Sequence, residues 1–107
     1  MKVNILGTDY KILKDTPKNN SKLVNAAAYV EFQTKEIVLD AHKYDKEHNL
    51  IKDYDRFKRK VLRHEIVHAF LFESGLEDLA GNEVVVDWIA NQFPKLHKAF
   101  KQLGVEE

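Results

Sequence analysis

Residues 53–74 (DYDRFKRKVLRHEIVHAFLFES) run for 22 positions without glycine or proline, and Gly75 follows directly. Acidic residues open the run and a glycine closes it, the arrangement that complements a helix macrodipole and supplies a left-handed C-terminal cap. The run therefore predicts a long helix over about 53–74. Its polar positions stop at Arg63. Ile66, Val67, Ala69, Phe70, Leu71 and Phe72 then leave the second half apolar nearly all round, as expected of a helix that passes through a core rather than lying on one.

The rest of the chain must supply that core. Residues 2–6 (KVNIL) and 9–14 (DYKILK) flank Gly7-Thr8, and residues 28–32 (AYVEF) and 36–40 (EIVLD) flank Gln33-Thr34-Lys35. Both pairs carry the β-branched and aromatic content of strands around a turn, so two hairpins are expected. Residues 15–25 gather Asp, Thr, Pro, Asn and Ser and read as a surface loop, and residues 41–52 as a loop or frayed turn. Residues 82–93 (NEVVVDWIANQF) suit a second helix capped by Asn82 and stopped or bent at Pro94, with a short C-terminal helix from there to Gly104. The valine triplet favours a strand instead, because β-branched residues lose rotamer freedom in a helix. Strands segregated before helices predict an α+β fold: a small, mainly antiparallel sheet from residues 2–40 packed on the long helix, in one domain spanning 1–107.

Seventeen basic and seventeen acidic residues leave a formal net charge of zero, with no global field to attract nucleic acid or an anionic membrane. The absence of cysteine removes thiol catalysis, disulfides and thiolate metal sites, so any metal must be held by histidine and carboxylate. MKVNILGTDYKIL breaks its apolar run at Asn4, Gly7, Thr8 and Asp9 and lacks a secretory h-region, so a cytoplasmic protein is expected.

Inside the long helix lies His64-Glu65-Ile66-Val67-His68. Residues four apart share a helix face, so both imidazoles can reach one ion, and a zinc ion would satisfy two histidines that are otherwise costly on an apolar helix. The alternative is a pair of core histidines bonded to backbone or acids. Catalytic zinc takes three protein ligands and keeps one position open. Glu83, fifteen residues after His68 on the second helix, is the expected third ligand, with Glu73, Glu77 and Asp78 as competitors near the connecting turn. Asp87, one turn beyond Glu83, would hold a ligand histidine's other N–H. Glu65 projects about 100° away from His64 around the helix and sits beside the ion as general base rather than ligand. The expected chemistry is amide hydrolysis, with a protein or peptide as substrate.

HEIVHAFLFESG followed by NEVVVDWIA resembles the small zincin metallopeptidases of bacteria and their phages, in particular the gluzincin branch and the ImmA/IrrE-like group within it. The resemblance covers residues 57–93, with a weaker echo in the 28–40 hairpin. It implies a zinc peptidase in which Glu83 is the third ligand and Asp87 supports a ligand histidine, encoded by a phage or mobile element, and in some members a role in cleaving a repressor. Glu83, Val86, Asp87, Ile89 and Ala90 echo that group's second-helix pattern loosely, the His68 to Glu83 spacing is shorter than in larger gluzincins, and no helix-turn-helix precedes the site. In such enzymes an edge strand before the active-site helix binds substrate; EIVLD at 36–40 stands in that place, with an internal strand as the alternative. Tyr29, His42, Tyr44 and His97 are candidate oxyanion donors, each also readable as a surface residue. A different class of function stays open: a non-catalytic, zinc-containing binding protein or phage-associated protein.

Overall fold

The computed structural model describes residues 1–45 and 47–107, Lys46 of the predicted 41–52 loop lying outside the described residues. Strands β1 (Lys2–Ile5) and β2 (Thr8–Asp15) form the first hairpin. Its turn is Leu6-Gly7, one residue earlier than expected, with Ile5 opposite Thr8. Both turn residues have positive φ, 51° and 92°, the geometry that matches strand twist in a two-residue hairpin, and glycine takes the more extreme of the two. The Asn4 side chain accepts from the Gly7 N–H at 3.0 Å and holds the turn in that register.

The second hairpin pairs β3 (Ala28–Glu31) with β4 (Glu36–Asp40). The sheet order is β1-β2-β4-β3, antiparallel at both outer pairs and parallel between β2 and β4. Of the two readings of EIVLD, the edge placement fails and the internal strand holds: β4 is paired on both sides, and β1 and β3 are the edges. The reason is visible in burial, since Ile37, Val38 and Leu39 are consecutive buried residues, and a strand covered on both faces belongs inside a sheet. The 15–25 loop also does more than cover the surface. It holds a 3₁₀ turn, Ser21–Leu23, that drives Leu23 into full burial.

Helix α1 (Tyr54–Glu73) begins at Asp53, whose side chain accepts from the Arg56 N–H, and ends where Gly75 turns left-handed at φ 86°. It packs in two directions, which accounts for its nearly all-round apolar second half. Ala69, Val61, Leu62 and Ile66 meet the sheet core of Ile5, Tyr10, Ile12, Ile37 and Leu39. Leu71, Val67 and Phe72 meet Ala80 of the one-turn helix α2 (Glu77–Ala80) and Val86 and Ile89 of helix α3 (Glu83–Leu103).

Helix α3 runs unbroken from Glu83 to Leu103, capped by Asn82 accepting from the Val85 N–H at 3.2 Å. The strand alternative for the valine triplet does not occur, and the two helices expected around Pro94 are one. A proline inside a helix leaves the carbonyl four residues earlier without its partner. Here that carbonyl is Ala90, and the Arg63 Nε–H donates to it at 3.2 Å from α1. The result is an α+β fold with a four-stranded mixed sheet. Among the described residues, no helix is long and apolar enough to cross a membrane.

Candidate metal centre

His64 and His68 project from the middle of α1 on one face, one turn apart, with ring centroids 4.7 Å apart. Helix α3 crosses that face with its first two turns. Glu83 comes to 2.9 Å from His64 Nε2 through Oε2 and 3.0 Å from His68 Nε2 through Oε1. Asp87 meets His64 on its other nitrogen, with Oδ1 2.7 Å from Nδ1. One donor atom from each of His64, His68 and Glu83 lies within 4.8 Å of the others. The structure thus brings together the three expected ligands and sets Asp87 behind one of them. The group could hold a metal ion.

The proton positions implied by these partners test that fit. Asp87 and the Ala80 carbonyl, 2.5 Å from His68 Nδ1, are both acceptors, so each Nδ1 carries the hydrogen. The two Nε2 atoms are then lone-pair atoms facing each other at 3.0 Å, with a carboxylate closing the third side. With both rings neutral, three acceptors converge and repel one another, a clash relieved by a cation among them or by a further proton on an imidazole. Two imidazoles with one carboxylate form a donor set suited to zinc. The Ala80 carbonyl is available because it ends α2, where the last carbonyls of a helix have no partner of their own.

Glu65 is 7% exposed and lines the cleft above the histidines, yet among the described residues it makes no hydrogen bond. Burial pushes its carboxyl up to about 7, with His68 opposing the rise and Glu83 adding to it. A buried carboxylate with open lone pairs beside a ligand cluster has the placement of a proton acceptor.

The competing acids are elsewhere. Glu73 is held at the far end of α1 by Tyr10 Oη at 2.6 Å, Lys35 Nζ at 2.8 Å and Thr8 Oγ1 at 2.9 Å, and Glu77 and Asp78 form the exposed first turn of α2. None of the four candidate oxyanion donors lines the cleft. Tyr29 Oη accepts from Asn20, His42 leans on Tyr44 in the loop before α1, and His97 stacks on Phe93 far along α3.

The cleft, about 410 Å³, also has walls that sequence reasoning missed. Asn91 continues the Glu83, Asp87 series by four more residues, a spacing that could have exposed it. Lys60 stands one turn before His64 and could have been found the same way. Ala26, Ala27 and Ala28 bring the start of β3, paired on one side only, to the opposite wall. No known protein-family model matches the chain, and no curated protein or solved structure is significantly similar to it.

Proposed function

We propose that the chain is a zinc metallopeptidase of a minimal zincin type, hydrolysing peptide bonds. His64, His68 and Glu83 would hold the ion. When bound, zinc supplies electrostatic polarisation of a carbonyl and acidification of water. The chain's own residues do the remainder. Glu65 accepts the proton of the attacking water at its carboxylate and returns it to the departing amine nitrogen. Asp87 and the Ala80 carbonyl keep the imidazoles in one tautomer and one orientation. The open side of β3, walled by small alanines, offers backbone groups to an extended peptide, which binds as an added strand.

What supports this reading is one arrangement: convergent ligand atoms of His64, His68 and Glu83, with an unbonded, buried glutamate lining the same cleft as His64 and Glu83. A site built only to hold an ion has no use for that glutamate. The test compares zinc-loaded wild type with Glu65→Gln on denatured casein and a random peptide library. The reading expects cleavage by the wild type and equal zinc content in both proteins. It also expects a loss of rate in the variant of roughly 10²–10⁴-fold, the usual contribution of general base catalysis. A wild type that binds zinc and cleaves nothing would overturn it.

A further inference from the structure

Arg56, Arg59, Lys60 and Arg63 recur at intervals of three, one and three residues, which sets them along one face of the N-terminal half of α1, and Lys52, just before the helix, lines the same depression. All five are exposed, and they line an open depression of about 690 Å³ whose lining includes a single acid, Asp53. That depression shares Phe57, Lys60 and Asn91 with the cleft over the histidines, so the two are one continuous surface. Partnering across it is unequal. In the cleft, Glu83 meets both histidines and Asp87 meets His64, whereas no ion pair among the described residues involves any of the five cations. Arg63 is engaged through Nε with the Ala90 carbonyl, and Asp53 with the N–H groups that open α1. A chain of zero net charge therefore concentrates unpaired positive charge on one side of its cleft.

We propose that this face selects the substrate: a polypeptide with two or more Asp or Glu residues close to the bond to be cut, on the side that passes over the N-terminal half of α1. Arg56 lies eight residues before His64, about 12 Å along the helix at 1.5 Å per residue. An extended chain covers that distance in roughly three to four residues at about 3.3 Å each. The selecting acids therefore fall within about four positions of the scissile bond. A peptide fits better than nucleic acid because the helical face from Arg56 to Arg63 is only about two turns long. It also leads into a cleft whose far wall is an open strand edge, a surface for a peptide backbone.

The inference rests on the peptidase reading for its cleavage result but is read by binding as well, so the two can fail separately. The proteins are zinc-loaded wild type, Glu65→Gln, and a charge reversal of Arg56→Glu, Arg59→Glu and Lys60→Glu, with Arg59→Gln as a milder variant if the reversal disturbs folding. The probes are a labelled decapeptide carrying four glutamates, its glutamine counterpart, and a twelve-base-pair DNA duplex. The glutamate peptide is expected to bind Glu65→Gln roughly tenfold more tightly than the glutamine peptide at low salt, with the difference shrinking as salt is added. The reversal should abolish that difference, and Arg59→Gln should reduce it by about threefold. In a library digest, wild-type cleavage sites should be enriched in acids on one side only. Equal binding of the two peptides, a preference that survives the reversal, or tighter binding of the duplex than of the glutamate peptide each overturns the proposal. Selective binding of the glutamate peptide with no cleavage of anything would keep the acidic-segment surface and sink the peptidase.

Discussion

Asp87 Oδ1 lies 2.7 Å from His64 Nδ1, 23 residues away along the chain, so that a carboxylate on α3 sets which nitrogen of an α1 imidazole faces the cleft. Removing that carboxylate without removing a ligand separates orientation from coordination. Asp87→Asn should leave zinc bound but lower its affinity by roughly 10–100-fold. Glu83→Ala should lose the ion at concentrations that saturate the wild type. Competition against a coloured chelator measures both, with Glu77→Ala and Asp78→Ala as controls expected to behave as wild type. Zinc retained by Glu83→Ala and lost by a control would transfer the third ligand to α2.

The ion would join α1 to α3, and whatever binds only the folded chain stabilises it. At a free zinc concentration about a hundredfold above the dissociation constant, the gain is about 2.7 kcal/mol. In a domain of this size that raises the unfolding midpoint by roughly 10–20 °C. Thermal scans with zinc and with EDTA should differ by that amount for wild type and very little for Glu83→Ala. Coincident curves for the wild type would mean that the folded state does not bind zinc at the site.

Glu73 ties the far end of α1 to the sheet. Hydrogen bonds from Lys35 and then Tyr10 are the main forces holding its carboxyl down, to about 2. A carboxyl whose folded value lies below its ordinary value near 4.5 stabilises the fold above that ordinary value. The contribution fades as pH falls from about 4.5 towards 2. Urea unfolding of wild type and Glu73→Gln between pH 7 and pH 2.5 should show the variant weaker at neutral pH and the two converging in acid. A constant difference across that range would remove Glu73 ionisation as the cause.

Pro94 and Arg63 should be coupled, because one frees the Ala90 carbonyl and the other occupies it. Arg63→Ala is expected to cost on the order of 1 kcal/mol in the native background, the usual size of a hydrogen bond. In a Pro94→Ala background the helix supplies its own N–H to Ala90, and the cost should fall to a few tenths. A double-mutant cycle in urea reads the difference directly. Additive effects would show that the two residues act independently.

The parts of the site that depend on local spacing were legible in the chain. A spacing of four from His64 to His68, and of four from Glu83 to Asp87, places side chains on shared helix faces before any tertiary structure is known. The partners that depend on how elements meet were not. The Ala80 carbonyl carries no side-chain signature, and the engagement of Ala90 by Arg63 requires the crossing of α1 and α3, so Pro94 read as a stop when it is an interior residue. The strand segments were legible too, but their order was not. Two hairpins can sit side by side in several ways, and the parallel contact of β2 with β4 follows from burying Ile37, Val38 and Leu39, a property of the assembled sheet. Ala28 was legible as the start of a strand, but nothing local marks the alanines at 26–28 as a cleft wall, because that depends on how β3 meets α1.

The parallel pairing of β2 with β4 also imposes an order of assembly. Strand β3 has a single neighbour in the sheet, and that neighbour comes later in the chain. During synthesis β3 therefore waits for residues 36–40, and β2 accepts β4 as its second partner only after about twenty intervening residues have been closed into a loop, a slower event than zipping a hairpin. The β1–β2 hairpin and the His64 helix can form from local contacts alone, whereas the alanine wall of the cleft is non-local by construction. Slow folding of this chain should therefore appear as a species with its helices formed and its cleft open on one side.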